Sequence, residues 1–405
     1  MKNIYGGVNG PSADAVAPGN ASQRDGSLDR SYRVPFNRAT LTGAELEHIS
    51  EAVRRMHLSG DGHFTRLCSE FFERELSVPK ALLTTSCTHA LEMCALLLDL
   101  APGDEVIVPS FAFVSTVNAF VLRGAAPVFA DVRVDTLNLD ERLLNDRITP
   151  RTKAIVLVHY AGVACELDAI MAIAARHDIP VIEDNAHGLF GRYRGRPLGS
   201  FGPLATLSFH ETKNLTCGEG GALLINDRRF VERAEILRAK GTNRARFHRG
   251  QVDKYTWVDV GSSYLPSEIS AAFLFAQLER WQSIQRHRRQ LWDRYADELA
   301  EWASSRDVRL PIVPEHCEHP SHLFYLLMSD LGERQRLIAH LADHGVNAVF
   351  HYQPLHLSEM GLARGGVPGG CPVTESICDR LVRLPLYHGL SEQDQSHVIA
   401  AIRMF

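Results

Sequence analysis

Between residues 81 and 225 the chain alternates short apolar runs with amphipathic segments of about ten residues, and that rhythm leaves few folds open. Strands are expected at 81–85, 105–109, 127–132, 154–159, 180–184, 205–209 and 222–225. Helices are expected at 88–100 and 167–177, with a further segment at 114–123. Such alternation marks an α/β fold with a mostly parallel sheet covered on both faces. Ligands in that class gather at the carboxyl ends of the strands, so the polar residues that end each apolar run deserve the closest reading.

The 405 residues exceed one small core and suit a large domain with a smaller one. We expect a large domain over 33–265, and a bridging helix with a small C-terminal α/β domain over 266–405. Residues 1–32, rich in Gly, Ala, Ser, Asn and Asp, read as a flexible tail. Helices are expected at 43–56 and 64–76, with a turn at 59–62 between them. The helical stretch 267–303 starts at a plausible cap, Ser267, and its length suggests a break or a bridge. Beyond it, strands are expected at 323–328 and 348–352. Helices follow at 333–344, closed by Gly345, and at 391–404, capped by Ser391.

A hydrophobic share of 45% and a charged share of 22% are those of an ordinary globular protein, and a net charge of −5 argues against general nucleic-acid binding. No apolar run reaches the roughly 18 residues that span a bilayer, and the start lacks a signal-type apolar core, which gives a cytoplasmic reading. Eight cysteines without a CxxC pair read as reduced thiols. His316-Cys317-Glu318-His319 reads as an exposed loop, because consecutive residues converge poorly on one ion, and no metal is expected.

Three polar groups fall at strand ends. Thr84-Thr85-Ser86-Cys87-Thr88 follows a strand and opens a helix, where hydroxyls and free N–H groups could hold a phosphate or simply cap the helix. Glu183-Asp184-Asn185-Ala186-His187-Gly188 ends an apolar strand in two acids, suited either to pair with a cationic ring nitrogen or to cap a helix. Ser208-Phe209-His210-Glu211-Thr212-Lys213-Asn214 lies between two strands with Gly218, Gly220 and Gly221 close behind. Lys213 there is either a reactive amine or a solvated surface lysine. Together and in this order, a phosphate cradle, an acid and a lysine are the parts needed to hold pyridoxal phosphate. No GxGxxG follows a strand, which disfavours a dinucleotide.

These residues carry a resemblance. From about residue 34 to the end, the chain resembles the DegT/DnrJ/StrS family of pyridoxal-phosphate sugar aminotransferases, which have the aspartate-aminotransferase (type I) fold. Gly60-Asp61-Gly62, Pro109-Ser110-Phe111, His159 through Glu166, Ser208 through Asn214, Lys240-Gly241-Thr242-Asn243 and the run from Arg249 to Trp257 look most like the dTDP-4-amino-4,6-dideoxygalactose transaminase branch. The resemblance implies Lys213 as the Schiff-base lysine and Asp184 as partner of the pyridine nitrogen. It places His187 at the ring oxygen, where relatives usually have Gln, Cys87, Thr88 and Ser208 at the phosphate, and Phe113 against the ring. Ser262-Ser263-Tyr264 occupies the stretch where many relatives have a phosphate-binding Asn from the neighbouring subunit, which is absent here. The resemblance implies a homodimer, because the family builds each site from two subunits.

Arg238, Lys240, Arg244, Arg246, Arg249 and Lys254, with only Asp253 against them, form a basic run suited to a sugar-nucleotide diphosphate or to plain solvation. His63, His159, Tyr160, Lys254, Ser263 and Tyr264 are candidates for the sugar pocket. His351, Tyr352 and His356 read as facing the cleft or as structural. The resemblance implies transamination of a dTDP-linked 4-keto-6-deoxyhexose with glutamate as donor. A sugar dehydratase, a 3-keto sugar aminotransferase and a non-catalytic regulator of the same fold are the alternatives. Lys213 disfavours the dehydratase, because relatives of that kind carry His there.

Overall fold

The computed structural model describes residues 32–405; the expected N-terminal tail, 1–32, lies outside the described residues apart from its last. Seven strands form the large sheet: β1 (Lys80–Thr84), β2 (Glu105–Pro109), β3 (Ala126–Ala130), β4 (Thr152–Val158), β5 (Val181–Asp184), β6 (Leu204–Ser208) and β7 (Gly221–Ile225). Their spatial order is β1-β7-β6-β5-β4-β2-β3, and only β7 runs against the rest. The apolar runs lack a polar alternate because both faces are covered. In β4, Ala154, Val156 and Val158 join one core while Ile155 and Leu157 join the core on the opposite face. In β7, Leu223 and Ile225 point one way and Ala222 and Leu224 the other.

Helices α1 (Glu45–Arg54), α2 (His63–Glu75), α3 (Cys87–Leu97) and α4 (Ser115–Val121) pack around this sheet. The N-terminus of α2 is capped from far along the chain. The buried Glu268 carboxylate accepts from the N–H groups of Gly62, Phe64 and Thr65 at 3.0, 2.7 and 3.1 Å, and from the Thr65 hydroxyl.

A second, antiparallel sheet of β8 (Phe324–Leu327), β9 (Val349–Phe350) and β10 (Leu381–Leu384), in the order β8-β10-β9, has its own core. Phe324, Leu326, Val382 and Leu384 pack there on Tyr295 and Leu299. The helical stretch 267–303 is divided: Glu268–Glu279 and Trp281–Ser305 meet at Arg280, whose φ of −110° and ψ of 8° leave the helical region. Ser267, Ser391 and Gly345 act as expected, the serines accepting from the N–H of Ser270 and Asp394 and the glycine taking φ 71°.

The exposed loop expected at 316–319 is corrected. Cys317–Glu318 is a short strand paired antiparallel with Arg192–Tyr193, and Cys317 and His319 are buried. Two-residue strands carry too little periodicity to be seen in sequence. His316 lies 3.3 Å from Glu166, and Arg289 donates to His319 Nε2 at 2.7 Å. Among the described residues no three His, Cys, Asp or Glu side chains gather as a metal site requires, and no helix is long and apolar enough to cross a membrane. All eight cysteines are free thiols.

Candidate active site

The parallel strands deliver their polar ends to one edge of the sheet: Thr84 from β1, Asp184 from β5 and Ser208 from β6. The connection from β6 into β7 turns back at once, because β7 is antiparallel, and Gly221 stands in register with both Ser208 and Thr84. A Cβ at Gly221 would come within 2.4 Å of the Cys87 nitrogen and the Ser86 carbonyl carbon. Only a residue without a side chain lets the lysine hairpin lie against the start of α3. That start is capped by Ser86, whose hydroxyl accepts from the His89 N–H at 3.1 Å.

A cavity of about 430 Å³ opens at this edge, closed from the opposite side by residues of the small sheet. Cys87, Thr88, Phe113, Asp184, His187, Ser208 and Lys213, the seven positions expected to hold the cofactor, all line it. Asp184 is 4% exposed; its carboxylate accepts from the Thr116 hydroxyl at 2.6 Å and the Ala186 N–H at 3.2 Å. Burial raises its pKa, against the pull of those two donors and of Lys213. The Lys213 side chain lines the cavity, and burial lowers the pKa of its amine to about 8, although Cys87 and Asp184 pull it upward. At pH 7 about one molecule in ten would then carry the free amine.

The wall opposite Lys213 is a stack of imidazoles. His187 lies on His322 with ring centroids 4.3 Å apart, and His351 is 6.1 Å from His187. Burial holds all three well below the usual histidine range, so they are neutral near pH 7. His187 Nδ1 is buried with no hydrogen-bond partner among the described residues. Asn214, next to Lys213, donates to the Pro320 carbonyl at 2.8 Å and to Gln285 at 2.9 Å, and its Oδ1 faces His322 Nδ1 at 2.9 Å. The two donations fix the amide's orientation, so His322 carries its proton on Nδ1.

These features fit pyridoxal phosphate. Among the described residues a buried carboxylate lacks a cationic partner in hydrogen-bond contact and a buried imidazole nitrogen is unpaired, and an amine of lowered basicity lines the same cavity.

None of the six sugar-pocket candidates lines the cavity. His159 is fully buried with Nε2 3.0 Å from Glu183, and its Nδ1 accepts from the Cys165 N–H at 3.2 Å. Tyr160 is buried behind the imidazole wall, its hydroxyl 3.0 Å from His351 Nδ1. Tyr264 packs on His89 and donates to Glu92 at 3.3 Å. His63 opens α2 with its ring edge-on to Phe64, Ser263 pairs through its backbone with Ala239, and Lys254 is exposed. His351 and Tyr352 do line the cavity, whereas His356 is buried between Ser110, 2.6 Å from Nδ1, and Glu375, 2.9 Å from Nε2.

Much of the basic run is neutralised by local acids. Arg238 pairs with Asp61 at 2.5 Å, Arg249 with Glu235 at 2.8 Å, and Arg246 with Glu232.

Sequence reading missed Thr116, His322 and Arg383. Arg383 alone left a signal, a charge interrupting the apolar strand Leu381-Val382-Arg383-Leu384.

Comparison with known proteins places these features in context. The model of the DegT/DnrJ/EryC1/StrS aminotransferase family matches residues 40–403. The spore coat polysaccharide biosynthesis protein SpsC of Bacillus subtilis is 30% identical over 382 residues, covering 92% of this chain and 97% of SpsC. Spr1654 of Streptococcus pneumoniae, assigned as a sugar aminotransferase and solved in both pyridoxal- and pyridoxamine-phosphate forms, superposes with a TM-score of 0.85 at 27% identity, over 92% of this chain and 98% of that one. The aminotransferase TlmJ of Streptoalloteichus hindustanus gives 0.82 at 31% identity, over 93% and 98%.

Proposed function

The chain belongs to the DegT/DnrJ/EryC1/StrS aminotransferase family, which uses pyridoxal phosphate, and on that premise we propose that it moves an amino group from glutamate to the keto carbon of dTDP-4-keto-6-deoxyglucose. The observation that carries the reading is the meeting of Lys213 and Asp184 in one enclosed cavity at the carboxyl edge of the sheet. Bound there, the cofactor would supply an aldehyde that takes up the amino group and a ring that accepts the electron pair.

The protein's own groups do the rest. Lys213, already poised near neutrality, takes the proton from the donor's α-carbon and returns one to the sugar carbon. Asp184, which accepts from the Thr116 hydroxyl and the Ala186 N–H, would keep the ring nitrogen of a bound cofactor protonated. The start of α3, with Cys87, Thr88 and Ser208, would hold the phosphate, and Phe113 would supply an apolar face to the ring. His187, kept neutral by burial, can donate from one nitrogen to the ring oxygen.

The proposal includes a homodimer. Phe247, Tyr255, Trp257, Val258 and Val260 lie exposed on one arm, Trp257 with 77% of its surface open, and a second copy would cover them. The product is the 4-amino-4,6-dideoxyhexose. Incubation with glutamate and dTDP-4-keto-6-deoxyglucose should yield it, with the configuration at the fourth carbon read by NMR. Elimination without amino transfer, or no turnover with cofactor bound, would overturn the assignment.

A further inference from the structure

His322 lines the cavity from the loop just ahead of β8, and the chemistry above gives it no part. Its Nδ1–H donates to Asn214 Oδ1 at 2.9 Å, and Asn214 is held in that orientation by its own donations to the Pro320 carbonyl and Gln285. Nε2 is therefore left with a bare lone pair. Among the described residues no donor meets it, yet it is not sealed in the core as His187 Nδ1 is, so it is open on the cavity that the ring lines. Its stack on His187, with centroids 4.3 Å apart, fixes the plane of the ring and with it the direction of the lone pair. Nor does the ring take up a second proton near neutrality. Burial pushes its pKa well below the usual histidine range, and His187, Lys213, Arg288 and Arg383 add to the push. His322 is thus an aimed acceptor that stays uncharged.

We infer that His322 accepts a hydrogen bond from the keto sugar, from the hydroxyl on the carbon next to the keto group, an inference that rests on the sugar aminotransferase reading above. The choice follows from what each reactant can donate. The phosphate and ring oxygen of a cofactor are acceptors, and the proton on its ring nitrogen is assigned to Asp184. Glutamate brings two carboxylates, which repel a lone pair, and an ammonium group that is consumed at the reacting carbon. Only the sugar brings neutral hydroxyls, and a neutral donor suits an imidazole that burial keeps uncharged. In dTDP-4-keto-6-deoxyglucose one neighbour of the keto carbon bears a hydroxyl, while the other bears the ring oxygen and the methyl group. The keto carbon must come to the Lys213 amine. His322 is bonded to the residue after that lysine and lies close enough for the lysine's charge to bear on its imidazole, so the hydroxyl beside the keto carbon is the one within its reach.

The test starts from the amino form of the cofactor-loaded protein and follows the return of its visible absorbance as keto sugar is added. dTDP-4-keto-6-deoxyglucose is compared with its 3-deoxy counterpart, which lacks only that hydroxyl. With the parent protein the half-saturating concentration should be about tenfold or more higher for the 3-deoxy sugar, because an acceptor left without its donor is penalised. His322→Phe keeps a ring on His187 and removes both nitrogens. In that variant the two sugars should differ less than about threefold, the hydroxyl sugar having fallen to the level of the other. A merely structural role would weaken both sugars alike and leave the preference in place, which overturns the inference. So does a parent protein that makes no distinction, an outcome that needs no variant. His322→Gln, whose amide can donate to Asn214 and still offer an oxygen, should recover part of the preference. The glutamate half-reaction of His322→Phe should lose about tenfold less than the sugar half, and a loss confined to glutamate overturns the inference. Calorimetry with dTDP-6-deoxygalactose and dTDP-3,6-dideoxygalactose, which have no keto group and cannot react, reads the same hydroxyl apart from turnover. If the parent protein prefers the first through His322 but aminates no keto sugar, the functional proposal fails and the hydroxyl seat stands. If it binds neither sugar nucleotide, both fall.

Discussion

A buried lysine that folding has made less basic should betray itself when removed. In the cofactor-free protein, burial takes the Lys213 amine from 10.5 to about 8. Above pH 10.5 the amine is neutral in both folded and unfolded chains and the shift has no consequence. Between pH 10.5 and 8 the unfolded chain gains a proton that the folded chain resists, so stability falls as pH falls through this window. By pH 7 the accumulated cost is about 3 kcal/mol. Lys213→Met keeps an unbranched side chain of similar reach and removes the charge. At pH 7 the cofactor-free variant should therefore be more stable than its parent by up to about 3 kcal/mol, less the attraction Asp184 loses. Denaturant unfolding of both proteins at several values from pH 7 to 10.5 should show the advantage shrinking towards zero. An advantage that stays constant over that range, or a variant less stable at pH 7, would refute the claim that the amine is held in a desolvating pocket. The same variant must lose transamination altogether.

Three further outcomes follow from the geometry. Asp184→Asn should still bind cofactor yet slow the glutamate half-reaction about 100-fold or more, measured at saturating donor, because the ring then loses the anion that keeps it protonated. Gly221→Ala pushes a methyl into the backbone of Ser86 and Cys87, so cofactor affinity, titrated by absorbance, should weaken at least tenfold while the helical circular dichroism persists. Glu268→Ala strips the buried cap from α2, leaving three backbone N–H groups without their acceptor, and should cost about 2–4 kcal/mol in unfolding experiments.

The large sheet was legible because strands buried on both faces write themselves as unbroken apolar runs, and a polar residue that ends such a run is forced to the sheet's edge. Asp184 could be picked out for that reason, and Lys213 from its place in the short polar loop between two such runs. Thr116 could not: it is 68 residues from the carboxylate it serves, in a helix whose sequence carries no mark of the contact. Arg383 comes from the second sheet and His322 from the loop just ahead of β8, and only the approach of that sheet to the lysine hairpin gives them a role. The basic run looked like an anion site because charge was counted along the chain, whereas Glu232 and Glu235 lie on the preceding helix and fold back onto it. His159 was misleading in the same way, since a histidine at a strand end reads as accessible until Glu183 is seen beside it.

The one reversed strand, β7, has a consequence for how this protein could change over time. A parallel neighbour would need a long crossover, and the lysine would then ride on a loop free to lengthen or shorten. With the return immediate, every insertion between Ser208 and Gly221 shifts the amine relative to a helix that already touches the glycine. The hairpin is therefore a stretch whose length should resist alteration as strongly as its lysine does.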